Sequence, residues 1–184
     1  MENEQKIFIE QERKFQEAIV MARGHIMQRC IEVENTIDLF IATYFARQAP
    51  KQDEMLGLIL GPRMTFNNKR EVFVYLLENY YTDFIVSHPD LISDTLMIVE
   101  ERNIFAHYPI DVSNEAKEKF NKDGSLRIQR IKNKKVKEKG ETKQKHYLMQ
   151  HRDLGNKEIN LLIKIMYDCR DTIQELVILE IKKK

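Results

Sequence analysis

The chain has 184 residues, of which 42% are hydrophobic and 32% charged, with only 6 Gly, 4 Pro and a formal net charge of +1. That make-up predicts one globular domain over residues 1–184, with a core large enough to stand without metal or disulfide staples. It excludes a disulfide framework, since there are 2 Cys. It also excludes a membrane span, since no apolar run approaches the ~18 residues needed. Residues 1–6 are charged and carry no signal-peptide apolar core, so the expected location is the cytoplasm.

The first predicted element runs from about Glu4 to Arg47. Phe15, Ile19, Ala22, Ile26, Cys30, Val33, Ile37, Phe40 and Tyr44 recur at steps of three or four, which is one face of a helix. Gly24 interrupts it. Glycine costs about 1 kcal/mol in a helix interior, so a kink or a close helix contact is expected there. Residues 48–50 end the helix, and Asp53 to Leu60 reads as a short apolar turn or helix before the breaker Gly61-Pro62.

A second long helix is predicted from Phe66 to Tyr81, with Val72, Phe73, Leu76, Leu77 and Tyr80 as its stripe. Residues 87–90 contain a capping residue and an early proline, so they read as a helix start. The helix that follows carries Leu91, Ile92, Thr95, Leu96, Ile98, Val99 and Ala106. It should end near His107, because Pro109 disfavours helical geometry at Tyr108.

Residues 121–124 read as a turn signal. From Ser125 to Ile131 the pattern alternates, with Leu126, Ile128 and Arg130 on one parity. Residues 132–145 are polar, and residues 146–150 return to strand character. A small hairpin with a charged tip is therefore expected. The last helix starts between Asp153 and Asn156, and its stripe is Leu162, Met166, Cys169, Ile173, Leu176 and Val177. The expected fold is all-α, a four- to five-helix bundle with a small β-hairpin inserted before the last helix. Both cysteines fall in helical stripes and read as reduced core thiols.

The near-neutral total hides an asymmetry. Residues 115–145 hold 12 Lys/Arg against 5 acids, a net +7, which leaves −6 for the rest of the chain. A basic hairpin insertion over residues 115–150 can recognise an anionic partner, and Arg127, Arg130, Lys132, Lys134, Lys135 and Lys137 are the candidate RNA contacts. A solvated, lysine-rich surface loop explains the same charges.

Familiar catalytic patterns are missing from the sequence. There is no Gly-rich phosphate loop and no Cys/His cluster with zinc spacing. His146 and His151 are five residues apart, which puts them on opposite faces of a strand. His25 and His88 read as structural, and the methionines as gap fillers. No metal or cofactor is expected.

One cluster remains, at residues 100–108. The apolar stripe Ile92, Leu96, Val99 continues by spacing to Asn103 and Ala106, so Asn103 is expected on the buried side or its edge. Asn103 and His107 are four apart and share a face. Arg102 and His107 are five apart and diverge by about 140° on a straight helix. They converge only if the helix frays at His107 or a second subunit contributes. Arginine supplies a fixed charge and a fork that suits phosphate. Histidine exchanges a proton near neutral pH. Asparagine can orient either one.

Arg102-Asn103-x-x-x-His107 resembles the R-[polar]-x-x-x-H signature of HEPN domains, all-helical nucleases of toxin, defence and RNA-processing systems. From the chain's own 11 Arg, 11 Asn and 5 His, chance gives about 0.02 such matches. The helix count, the helix order and the motif's position at the end of the third main helix agree with that family. The resemblance implies metal-independent endoribonuclease activity, in which the RNA 2′-OH attacks the adjacent phosphate. By position, His107 takes the acid/base role, Arg102 the phosphate role and Asn103 the orienting role. It also implies a homodimer with facing motifs, and a protein antitoxin or regulator as a possible partner. A toxin subgroup has Tyr two positions after the His. Here that position is Pro109, and Tyr108 follows His107 directly, so regulation through that Tyr does not carry over.

Two other functions fit the sequence. One is a non-catalytic helical module that dimerises or binds protein or RNA, with Arg102 and Asn103 stabilising a helix end. The other is a transcriptional or other nucleic-acid-binding role, for which there is no helix-turn-helix signal.

Overall fold

The computed structural model describes the backbone of residues 2–135 and 145–183 and the side chains of residues 5–129 and 150–183. The chain order is α1 (Glu2–Phe45), α2 (Ala49–Met55), a π-helical turn (Leu56–Leu60), α3 (Gly61–Arg63), α4 (Phe66–Tyr80), α5 (Thr82–Ser87) and α6 (Leu91–His107). It continues with α7 (Asn114–Asp123), β1 (Leu126–Lys135), β2 (Lys145–Leu154) and α8 (Asn156–Lys182). The two strands pair antiparallel, with Leu126 opposite Leu154 and Lys135 opposite Lys145. The fold is all-α with one small hairpin before the last helix, as the stripes predict. No described helix is long and apolar enough to cross a membrane.

Contacts divide the chain into two compact units, Met1–Gly24 with Asn103–Asn160, and His25–Arg102 with Leu161–Lys184. The second unit is built on the four long periodic helices. Ile26, Cys30, Val33, Ile37 and Phe40 of α1 are buried with Phe73, Leu76 and Leu77 of α4, Ile98 of α6, and the whole predicted stripe of α8. Each fully buried side chain of this size is worth about 1.5–3 kcal/mol. Phe40 meets Phe73 edge-on, with ring centroids 5.4 Å apart. Thr65 caps α4 by accepting a hydrogen bond from the Asn68 backbone N–H at 3.3 Å, which satisfies one of the helix's free donors.

Charges fasten the same helices. Lys69 of α4 is buried and donates to Glu34 and Asp38 of α1 at 2.6 and 2.7 Å. The guanidinium carbons of Arg29 and Arg170 lie 4.4 and 5.0 Å from the Tyr167 ring centroid. Both arginines also donate to Glu32, so α1 and α8 are joined by an ion pair and a cation–π contact together.

In the first unit, Phe15, Ala22 and Leu126 form a small core, with Ala18, Ile19, Phe120 and Ile159 packed on it. Helix α7 has no counterpart among the predicted elements. Ala116 and Phe120 are its main inward residues, too few for a stripe, and the rest is Lys, Glu, Asn and Asp. Its ends are nonetheless chemically marked. Ser113 accepts from the Ala116 N–H at 3.3 Å, and Gly124 closes the helix at φ 74°. The turn signal at residues 121–124 is thus a helix C-terminus, where only glycine adopts a left-handed backbone without strain.

The hairpin also differs from expectation. Both strands run further than the alternation suggests, so Lys132, Lys134 and Lys135 belong to paired β1 instead of a tip. The tip, with Lys137, lies outside the described residues. Gly24 brings neither a kink nor a close contact. Helix α1 is unbroken from Glu2 to Phe45, and a Cβ built on Gly24 would meet nothing within 4 Å.

Candidate functional site

Helix α6 carries Arg102, Asn103 and His107, and its buried face is rotated from the predicted one. The stripe Ile92, Leu96, Val99, Asn103, Ala106 faces inward only in part: Val99 is buried, whereas Leu96 is 42% exposed, and Asn103 and Ala106 are exposed too. The inward face follows Leu91, Thr95, Ile98 and Phe105, all buried, with steps of four, three and seven. Arg102 falls within that face by spacing and is half-buried. The two stripes are one residue, or about 100°, apart. Both are apolar in sequence, so periodicity alone does not choose between them.

Arg102 therefore sits on the inward side, close enough to Cys30 of α1 for its charge to act on the thiol. Burial raises the Cys30 pKa and Arg102 lowers it; Glu101 raises it again, and the thiol ends at about 12. Cys30 stays protonated at neutral pH and donates weakly to the Ile98 carbonyl at 3.9 Å. Burial likewise pushes Cys169 up to about 12. Both are unoxidised, inert core thiols, as the stripes imply.

Asn103 and His107 lie on the outward side, four residues apart, and both are open to solvent. The helix does not fray at His107. The Tyr108 N–H still donates to the Ile104 carbonyl at 2.9 Å. Beyond it the chain is tied down. Arg23 donates to the Tyr108 carbonyl at 2.9 Å, the Gln129 N–H to the Pro109 carbonyl at 3.0 Å, and the Asp111 N–H to the Arg127 carbonyl at 2.7 Å. Ile110 bridges to Ile128 as a short addition to the hairpin. These contacts hold the end of α6 in one position, and no spacing rule in the sequence points to Arg23 as one of them.

One chain thus brings Asn103 and His107 onto a shared exposed face and leaves Arg102 on a different face. With the hydrogen-bond ladder intact, the angular gap of about 140° between Arg102 and His107 remains.

The basic residues divide. Arg127 is only 15% exposed and donates to Asp153 and Glu115, each at 2.9 Å. The Glu115 hydrogen bond, followed by that from Asp153, raises its pKa above the ordinary arginine value. Its charge is compensated within the fold, which leaves it poorly suited to hold a phosphate. Arg130, Lys132, Lys134 and Lys135 lie along β1, opposite Gln150, Leu148, His146 and Lys145. His151 faces the buried Asp111 at 3.8 Å, and His88 donates from Nδ1 to the Phe84 carbonyl while stacked on the Phe84 ring. Both are structural contacts. No family model, curated protein or solved structure matches the chain.

Proposed function

We propose that this chain is a metal-independent endoribonuclease of HEPN type, acting as a homodimer in the cytoplasm as part of a toxin, defence or RNA-processing system. The observation that carries the proposal is the R-N-x-x-x-H cluster at the end of α6, with Asn103 and His107 both exposed. The intact ladder through Tyr108 supports a composite site, in which Arg102 of one copy meets His107 of the other across a two-fold axis.

In that site His107 takes the proton of an RNA 2′-OH. The 2′-oxygen bonds to the adjacent phosphorus, and the bond to the 5′-oxygen breaks. The leaving oxygen takes up a proton, and a 2′,3′-cyclic phosphate remains. Arg102 offsets the charge on the phosphoryl oxygens as it builds, and Asn103 orients His107 across their shared face. The basic strand β1 offers the backbone-binding charge.

The test is cleavage of a single-stranded RNA in the presence of a chelator. Product ends should be 2′,3′-cyclic phosphates, and an all-deoxy strand should be inert because it lacks the attacking hydroxyl. His107→Ala should slow cleavage by about 10²–10⁴-fold, the usual worth of general acid/base catalysis. A folded His107→Ala protein that cuts like the parent defeats the proposal. A non-catalytic helical module for dimerisation or binding then takes its place. The half-burial of Arg102 beside Cys30 favours that second reading, since it suits a residue that stabilises the helix.

A further inference from the structure

We infer that His151, held in place by the buried Asp111, is the general acid of the proposed reaction and gives its Nε2 proton to the leaving 5′-oxygen. This rests on the ribonuclease reading and names a donor for the proton that the leaving oxygen takes up. In an in-line displacement the attacking and leaving oxygens lie on opposite sides of phosphorus. The imidazole that takes the 2′-OH proton therefore does not reach the 5′-oxygen, and a second group has to stand there.

The fold brings a second histidine to the end of α6. Residues 109–111 run along one edge of β1. The Gln129 N–H ties them there through the Pro109 carbonyl at 3.0 Å, and the Asp111 N–H through the Arg127 carbonyl at 2.7 Å. On the other edge of β1, Gln129 pairs with His151 of β2. Pro109, Gln129 and His151 thus form one row, and side chains opposite each other in such a row share a face. Two strand spacings, about 10 Å, separate Pro109 from His151. His107 is two residues before Pro109, a step of at most about 7 Å. The two histidine backbones are therefore within about 17 Å, a gap that two facing imidazoles narrow to the width of one phosphodiester.

Asp111 gives this histidine a fixed orientation. It shares the face of Pro109, two residues back, and its carboxylate lies 3.8 Å from His151 Nδ1. Burial acts to raise the Asp111 pKa. Hydrogen bonds from Ser113 and Gln129, with the charge of His151, outweigh it and hold the carboxyl below the ordinary value of 3.8. Asp111 is thus an anion at neutral pH, anchored by the Ser113 N–H at 2.9 Å. A buried carboxylate facing one ring nitrogen orients the imidazole and leaves the other nitrogen to the substrate. The His151 side chain is 41% exposed, and its Nε2 has no partner among the described residues. The contact that fastens His151 to the fold therefore also presents its proton.

The step balances. His107 takes the 2′-OH proton as the 2′-oxygen bonds to phosphorus. The electron pair of the breaking bond passes to the 5′-oxygen, which takes the Nε2 proton of His151 and leaves as a 5′-hydroxyl. Water then returns a proton to His151 and removes one from His107.

Two substrates test this with the full chain: a single-stranded RNA and uridine 3′-(4-nitrophenyl phosphate). Both are attacked by a 2′-OH. Nitrophenolate leaves without a proton, whereas the RNA 5′-oxygen needs one. His151→Ala should slow RNA cleavage by about 10²–10⁴-fold and cleave the nitrophenyl ester like the parent. His107→Ala should be slow on both, because both need the base. A His151→Ala protein that cuts RNA at the parent rate overturns the inference. Equal losses on the two substrates overturn it as well, since the Asp111 contact then only shapes the fold. In either case the ribonuclease reading still stands on chelator-resistant cleavage by the parent and its loss in His107→Ala. A parent inert on RNA takes both readings down.

Discussion

Lys69 shows how much depends on single charges. Its side chain is 4% exposed and lies between Glu34 and Asp38. Burial disfavours its charged form, but hydrogen bonds with Asp38 and Glu34 outweigh that and raise its pKa above the ordinary lysine value of 10.5. A raised folded pKa means the stabilisation is complete below about pH 10.5. It is lost as pH climbs through the folded value. Thermal unfolding in alkaline buffer should show a falling melting temperature beyond that point. Lys69→Met removes the cation and leaves two carboxylates, one of them buried, without it. It should cost about 3–5 kcal/mol in denaturant unfolding. A loss below about 1 kcal/mol would mean that water already compensates the acids. Burial raises the Asp38 pKa, with the Lys69 hydrogen bond acting against it, so Lys69→Met should protonate Asp38 more readily still. None of this is legible in sequence, because Lys69 looks like any surface lysine until α4 is laid on α1. The motif residues are a middle case. Arg102, Asn103 and His107 stand out by type and spacing. Which of them faces inward does not, since Ile92, Leu96 and Val99 compete with Leu91, Thr95 and Ile98 for the same role.

At the scale of elements, long stripes were legible and short amphipathic pieces were not. Helix α8 buries the six residues its spacing selects, because a stripe repeated over 27 residues leaves one orientation. Helix α7 escaped notice because its ten residues bury little and are defined by their caps. Gly24 illustrates the opposite error. An interior glycine suggests a structural need, but here it meets open space. Gly24→Ala should therefore stabilise the protein by about 0.5–1 kcal/mol, the usual gain from removing backbone freedom in the unfolded chain. Destabilisation in a chemical melt would reveal a contact that this packing does not contain. The basic strand yields a second test. If β1 tracks RNA, replacing Lys132, Lys134, Lys135 and Lys137 by Gln should weaken binding. The slope of log K against log salt should also flatten by about 0.7 for each lost phosphate contact on a single strand. Arg127→Gln should change that slope little, because Glu115 and Asp153 already take up its charge. It should cost stability instead.

For the whole molecule, the proposed ribonuclease site is incomplete in any single chain. Arg102 and His107 diverge on one unbroken helix, so the proposed catalysis would need two copies. Mixing two inactive variants measures this most directly. Arg102→Ala and His107→Ala proteins are each expected to be folded and nearly inactive on single-stranded RNA. After subunit exchange in an equimolar mixture, half of the dimers are mixed, and each mixed dimer holds one intact Arg102–His107 pair. Cleavage should then return to about a quarter of the parent rate, as two-fold symmetry requires. A mixture no more active than its components, from an active parent whose subunits demonstrably exchange, would contradict the composite site.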